Sequence, residues 1–191
     1  MRIYLTLGHP DRESFCGAIA DAYQAAARAA GHEVERQDLG ALRFDPVLHR
    51  GYKAVQPLEP DLVRAQELIG WCEHWVIVYP LWWGATPALL KGFFDRVLLP
   101  GFAFEPHAEG PLWDKLLGGR SAHLITTSDA PNLYTLLAYR NADVTAMKTA
   151  TLQFCGIKPV RVTRFGGIKD AGAGRLAGYL ERVRRVAGTP T

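Results

Sequence analysis

Three short stretches of this chain carry residue types that can do chemistry. The first is Gly8-His9-Pro10-Asp11-Arg12-Glu13-Ser14, followed by Phe15-Cys16-Gly17. It separates an apolar run, residues 3–7, from a segment where Phe15, Ala18, Ile19, Ala22, Tyr23 and Ala26 recur at helical spacing. A strand therefore feeds a helix here, and a helix start presents free N–H groups and partial positive charge to a phosphate. Ser14 adds a hydroxyl and His9 a ring nitrogen. Read as local structure alone, Ser14 is a plain N-cap and His9 a turn residue, and the bare sequence supports both readings equally.

The second stretch is Tyr79-Pro80-Leu81-Trp82-Trp83-Gly84-Ala85-Thr86-Pro87. One tryptophan here would read as packing. Two adjacent side chains on an extended chain point in different directions, so one can pack while its neighbour meets a planar ligand. Flanking Pro and Gly make a turn with open backbone N–H groups, which suits the edge of a heteroaromatic ring. The third stretch, Thr126-Thr127-Ser128-Asp129-Ala130-Pro131-Asn132-Leu133-Tyr134, offers donors to charge developing on a reduced ring. Taken alone it is equally a solvated turn.

Other chemistries lack their signatures. The sequence has no GxGxxG and no GxxxxGK[ST] phosphate loop. Cys16, Cys72 and Cys155 are odd in number and form no CxxC pair, and the histidines show no HExxH spacing. Neither a metal site nor a disulfide framework is expected. A net charge of +3, with no run of Lys and Arg, argues against nucleic acid. No apolar stretch approaches the roughly 18 residues of a membrane span, and the N-terminus lacks a signal-peptide pattern. The expectation is a cytoplasmic protein.

The elements that must position these stretches follow from the hydrophobic pattern. With 191 residues, 48% of them hydrophobic and 21% charged, a single domain over 1–191 with its own core is expected. Strands are predicted over 3–7, 32–39, 75–79, 121–127 and 160–165. Helices are predicted from Phe15 to a stop at Gly31, then over 61–72, from Thr86 as N-cap through Val97, over 142–154 and over 175–186. Residues 40–60 read as a loop, and 102–105 as a short extended piece within a second loop. Alternating strands and helices imply an α/β three-layer sandwich with a five-stranded parallel sheet. Open sheets of this kind bind ligands beyond the carboxyl ends of their strands, where all three stretches lie.

At this level of detail the chain resembles the flavodoxin-like NAD(P)H:quinone reductase family. The resemblance rests on Gly8-His9-Pro10 with Ser14 and Phe15, and on Pro80-Leu81-Trp82-Trp83-Gly84. It continues through Pro87-Ala88-Leu89-Leu90-Lys91-Gly92-Phe93-Phe94-Asp95-Arg96-Val97, Gly101-Phe102-Ala103-Phe104 and Thr126-Thr127. It implies a flavodoxin-like sheet of strand order 2-1-3-4-5 and a flavin, FMN or FAD, with FMN preferred. His9, Ser14, Phe15 and Cys16 would hold the phosphate. Pro80, Leu81, Trp82, Trp83 and Gly84 would line the ring edge, and Thr126, Thr127, Ser128 and Asp129 its pyrimidine end. It further implies NAD(P)H as donor, a quinone-like acceptor (nitro or azo compounds also fit) and a homodimer.

Tyr134 stands where the quinone reductases carry a tyrosine that hydrogen-bonds the ring region or substrate, with Tyr139 as a possible stand-in. Two features depart from the family. The histidine found six residues after that tyrosine in the mammalian enzymes is replaced by Arg140, and a glycine pair after Thr-Thr by Ser128-Asp129. A non-enzymatic electron carrier and a flavin-binding regulatory subunit are the rival readings. The mildly basic charge and the loop over 98–111 favour an enzyme over a carrier.

Overall fold

The computed structural model describes residues 1–190. The chain runs β1 (Arg2–Leu7), α1 (Phe15–Ala29), β2 (Glu33–Asp38), α2 (Pro60–Trp71), β3 (His74–Pro80) and α3 (Ala88–Val97). It continues with β4 (Phe104–Pro106), β5 (Trp113–Lys115), β6 (Ser121–Ser128), α4 (Asn132–Tyr139) and α5 (Ala142–Val144). A π-helix (Thr145–Gln153), β7 (Val160–Gly166) and α6 (Ala173–Gly188) complete it.

The five long strands are parallel and lie in the order β2-β1-β3-β6-β7. This is the predicted flavodoxin-like order, because β4 and β5 leave the sheet and pair only with each other, antiparallel. Period-two alternation divides the strand side chains between two apolar layers. Ile3, Leu5, Leu7, Val76, Val78, Ile125 and Phe165 meet α1 and α6 through Ile19, Tyr23 and Val183. Tyr4, Trp75, Ile77, Tyr79 and Leu124 meet α2 and α3 through Leu62, Leu68, Phe93 and Phe94. Both faces are covered, which is why β3 is buried at every position and reads as a continuous apolar run.

Four expectations change in detail. Helix α3 begins at Ala88, with Pro87 rather than Thr86 at its N-cap and no side-chain cap bond. The third stretch is not a loop throughout, since Asn132 opens α4 and Tyr134 therefore projects from a helix. The predicted 142–154 helix has the right extent, but most of it is π-helical, and single π turns often mark functional positions. The short extended piece begins at Phe104, where it meets β5.

The irregular 40–60 region is held by one buried cation. Arg96, on α3, is fully inaccessible and donates to the carbonyls of Asp45 and Pro57 and to the Glu59 carboxylate at 2.9 Å. Burial works against ionisation of Glu59. The Asp45 N–H and the Arg96 guanidinium outweigh it and hold the carboxyl below its ordinary range.

Candidate functional site

Strands β2 and β3 flank β1 on opposite sides, so the chain reverses direction across the sheet there and a crevice opens beyond the strand ends. The turn leaving β1 is tight. A Cβ on Gly17 would meet the Arg12 carbonyl oxygen at 1.8 Å, so only glycine lets the loop close over the helix start. Ser14 is the N-cap of α1. Its Oγ accepts the Gly17 N–H at 3.2 Å and donates to the Asp11 carbonyl at 2.7 Å. The N-cap reading is thus the geometry found. The N–H groups of Phe15 and Cys16, in the first helical turn, point out of the helix end. His9 accepts the Asp11 N–H at Nδ1, 2.9 Å away, which assigns the proton of a neutral ring to Nε2. That nitrogen is then a donor.

The stretch after β3 forms a tight hairpin. Trp82 and Ala85 exchange both backbone hydrogen bonds, at 3.0 and 2.9 Å. Between them Trp83 and Gly84 have φ of 52° and 70°, the pattern of a type I′ turn. Glycine takes that conformation freely, whereas a bulky residue at φ above zero is strained by about 1–2 kcal/mol. Trp83 nevertheless sits there with its indole fully exposed. The two tryptophans diverge as expected: Trp82 meets the His9 ring edge to face, and Trp83 stands clear.

The stretch after β6 is tied to both others. Leu81 donates its N–H to the Thr127 carbonyl at 2.7 Å, and the Cys16 thiol lies 3.2 Å from the Thr127 hydroxyl. Burial pushes that thiol up to about 12, against the opposing hydrogen bond to Thr127, so it is no thiolate nucleophile. Ser128 turns its hydroxyl onto the Ala130 carbonyl at 2.8 Å. Asp129 accepts the Lys169 N–H at 3.1 Å, which turns one carboxylate oxygen toward the β7–α6 loop.

His9, Ser14, Phe15, Cys16, Pro80, Leu81, Trp82, Thr127, Ser128 and Asp129 line one cleft of about 170 Å³. Ile168, which the sequence did not single out, joins them. Trp83 and Gly84 line a second, larger cleft of about 1220 Å³ that shares Trp82 with the first. Thr126 is buried within β6 and Tyr134 lies on α4, both outside the two clefts. Tyr134 instead meets Tyr139 edge to face, with ring centroids 5.6 Å apart. Tyr139 in turn lies against Gly84, 3.7 Å from where a Cβ would stand. Arg140 occupies a left-handed position at the end of α4 and is exposed.

The larger cleft is walled by Trp82, Trp83, Phe94, Met147 and Phe154 and contains a residue the sequence reading missed. Asp143, whose side chain is fully buried, pairs one oxygen with Arg164 Nη2 at 2.8 Å. Among the described residues its Oδ2 has no partner, and neither does the buried hydroxyl of Tyr79. Burial first, and then the Asp143 charge, raise the Tyr79 phenol far above its ordinary range. No spacing rule marks Asp143, because a carboxylate inside a predicted helix reads as a solvated face.

A doubly wound parallel sheet with a polar cleft at its topological switch point and an aromatic hairpin over it defines a flavodoxin-like protein. The flavodoxin-like fold family matches residues 1–187, and the chain belongs to it. It is 28% identical to rat NAD(P)H dehydrogenase [quinone] 1 over 215 residues, which span 97% of this chain and 77% of that protein. It is 31% identical to the uncharacterized NAD(P)H oxidoreductase YcaK of Escherichia coli K12, over 75% of this chain and 82% of that one. The structure of NAD(P)H:quinone oxidoreductase from Methanothermobacter marburgensis superposes with a TM-score of 0.84 at 27% identity, covering 100% of this chain and 99% of the other.

Proposed function

We propose that this protein is a flavin-dependent NAD(P)H oxidoreductase that reduces a quinone or related acceptor. One observation carries the reading: three stretches far apart in sequence converge on one cleft with the donor set a flavin needs. The residues fit that group. At one end stand the outward N–H groups of Phe15 and Cys16 and the Nε2 proton of His9, a set suited to phosphate, which the Ser14 hydroxyl joins by turning its hydrogen away from the Asp11 carbonyl. At the other stand Thr127 and Ser128, with the aromatic rim of Trp82 and Trp83 beyond.

When bound, the flavin supplies the two-electron hydride chemistry between a reduced nicotinamide and the acceptor. The chain supplies position and charge. The α1 N-terminus anchors the phosphate. The Leu81–Thr127 hydrogen bond fixes the spacing between the hairpin and the β6 loop, so the ring edge meets preorganised donors. The Trp83–Gly84 turn lines the larger cleft beside it. Trp82, shared by both clefts, joins the flavin end to the larger cleft where a second ring can enter.

Five finer assignments belong to this proposal. FMN is the flavin to test first, and the acceptor class extends to azo and nitro compounds. Tyr134 contributes a hydroxyl to the ring region, reached through its contact with Tyr139. The chain works in the cytoplasm. A second copy covers the exposed apolar strip formed by Trp83, Leu133, Leu136, Leu137 and Tyr139, which is more than isolated surface residues account for.

The deciding experiment is the absorbance spectrum of protein mixed with FMN or FAD and freed of excess, then treated anaerobically with NADPH or NADH. Retained bands near ~370 and ~450 nm that bleach with the nicotinamide are expected, because the protein must hold both partners within hydride range. A flavin that is held but never bleaches would replace the enzyme by an electron carrier. A chain that holds no flavin would overturn the reading.

A further inference from the structure

The segment joining β2 to α2 is a strap with tied ends and a free tip. Arg96 draws the ends together by donating to the Asp45 and Pro57 carbonyls. Gln56 crosses between them, accepting the His49 N–H and donating to the Val47 carbonyl, both at 3.1 Å. The tip beyond that crossing is a single 3-10 turn, Gly51–Lys53, with Tyr52 at its middle. Tyr52 is 67% exposed and lines the larger cleft together with Pro10 and Trp82. Arg50 and Lys53 stand on either side of it, exposed, and among the described residues neither enters an ion pair. The acids of the strap are already taken, Asp45 by His49 and Glu59 by Arg96. Charge within the cleft also cancels where Lys91 Nζ contacts both oxygens of Asp95, at 2.6 and 2.7 Å. The uncompensated charge beside Tyr52 is therefore positive.

We propose that this tip is an adenosine clamp for the nicotinamide donor. Tyr52 stacks on the adenine, and Arg50 and Lys53 pair with the 2′-phosphate that distinguishes NADPH from NADH. The inference rests on the oxidoreductase reading above and deepens it. An exposed aromatic face holds a base by stacking, and a guanidinium beside an ammonium suits a phosphate dianion. A quinone presents neither a base nor an anion, so of the two substrates only the donor uses this end. Trp82 and Tyr52 line one cleft, so a dinucleotide whose nicotinamide meets Trp82 finds Tyr52 within the same space. The competing occupant is the adenosine of FAD, which carries no 2′-phosphate.

The test uses 2′,5′-ADP and 5′-AMP, probes that have no reactive ring and differ in the 2′-phosphate alone. Dissociation constants are measured by ligand-detected NMR titration on FMN-treated protein, with flavin retention recorded from the absorbance of the same samples. Wild-type protein is expected to bind 2′,5′-ADP about tenfold more tightly than 5′-AMP, the scale for two exposed cations on one dianion. In the double variant Arg50→Gln, Lys53→Gln that ratio is expected to fall toward one. Tyr52→Ala is expected to weaken both probes to the same degree. Equal binding of the two probes to wild-type protein, or no binding of either, overturns the inference. So does a ratio that persists in the double variant, or unchanged affinities in Tyr52→Ala. Probes that bind after FMN treatment but not after FAD treatment would assign the tip to the flavin's own adenosine and overturn it as well. A flavin that is retained and bleached, with no preference between the probes, removes this inference and leaves the oxidoreductase reading intact. A preference that the double variant abolishes, without flavin retention, removes the reading instead.

Discussion

His9 and Trp82 meet edge to face, with ring centroids 5.3 Å apart and planes at 72°. They come from different stretches, and their contact joins the β1–α1 turn to the hairpin after β3, both of which line the smaller cleft. Aromatic pairs of this geometry contribute roughly 0.5–1.5 kcal/mol beyond buried area. Replacing Trp82 with Ala removes both that contact and the wall shared by the two clefts. Flavin affinity, followed by quenching of flavin fluorescence, is expected to fall about tenfold or more with the fold intact by circular dichroism. An unchanged affinity would remove Trp82 from the site.

Ser14 separates a structural role from a binding role. Its hydroxyl caps α1, so Ser14→Ala should cost about 1 kcal/mol of stability, read from urea midpoints. If the same hydroxyl also meets phosphate, flavin retention drops beyond what the stability loss explains, and Ser14→Thr restores most of it. A lowered midpoint with unaltered flavin affinity would leave Ser14 as a cap alone.

Tyr134 and Tyr139 touch each other, and only Tyr139 lies against the hairpin at Gly84. Tyr134→Phe keeps the ring packing and removes the hydroxyl. It is expected to slow acceptor reduction several-fold while flavin content stays full. Tyr139→Phe is the control. A slow Tyr139→Phe beside a wild-type Tyr134→Phe would transfer the role to Tyr139.

Stability should fall in mild acid because of two buried histidines on neighbouring strands. His74 bonds Ser121 and His123 bonds Thr163. Burial lowers both from 6.5 to about 4, aided at His74 by the charges of His123 and Arg161 and at His123 by those of Arg161 and Arg182. Between those values the unfolded chain binds protons that the folded chain refuses. Stability is therefore full above the upper value, declines as pH falls through the window, and stops declining on this account below about 4. The slope is at most about 1.4 kcal/mol per pH unit for each histidine. Urea midpoints measured across the window should show it, and His123→Gln should flatten it. A slope unchanged in that variant would assign the acid sensitivity elsewhere.

The amino-acid sequence by itself determined the parallel sheet and the neighbourhood of the smaller cleft, while the order of the strands was implied by the family resemblance. Buried parallel strands announce themselves as apolar runs such as 75–79, and three of them end in the stretches that carry polar or aromatic residues. Chain continuity then forces those stretches to the same edge, so His9, Ser14, Trp82 and Thr127 were legible before any contact was known. What the sequence could not specify depends on long-range packing. Whether Thr86 or Pro87 caps α3 is a matter of one residue's backbone, and Tyr134 reads as loop until the segment packs as a helix. Only the tertiary structure separated the two tryptophans, turning Trp82 onto His9 and leaving Trp83 strained and exposed at a type I′ turn. It alone brought Asp143 and Arg164, from a helix and an edge strand, to one buried ion pair with an oxygen to spare. Burial and pairing are properties of neighbours in space, and a local pattern of residues carries no record of them.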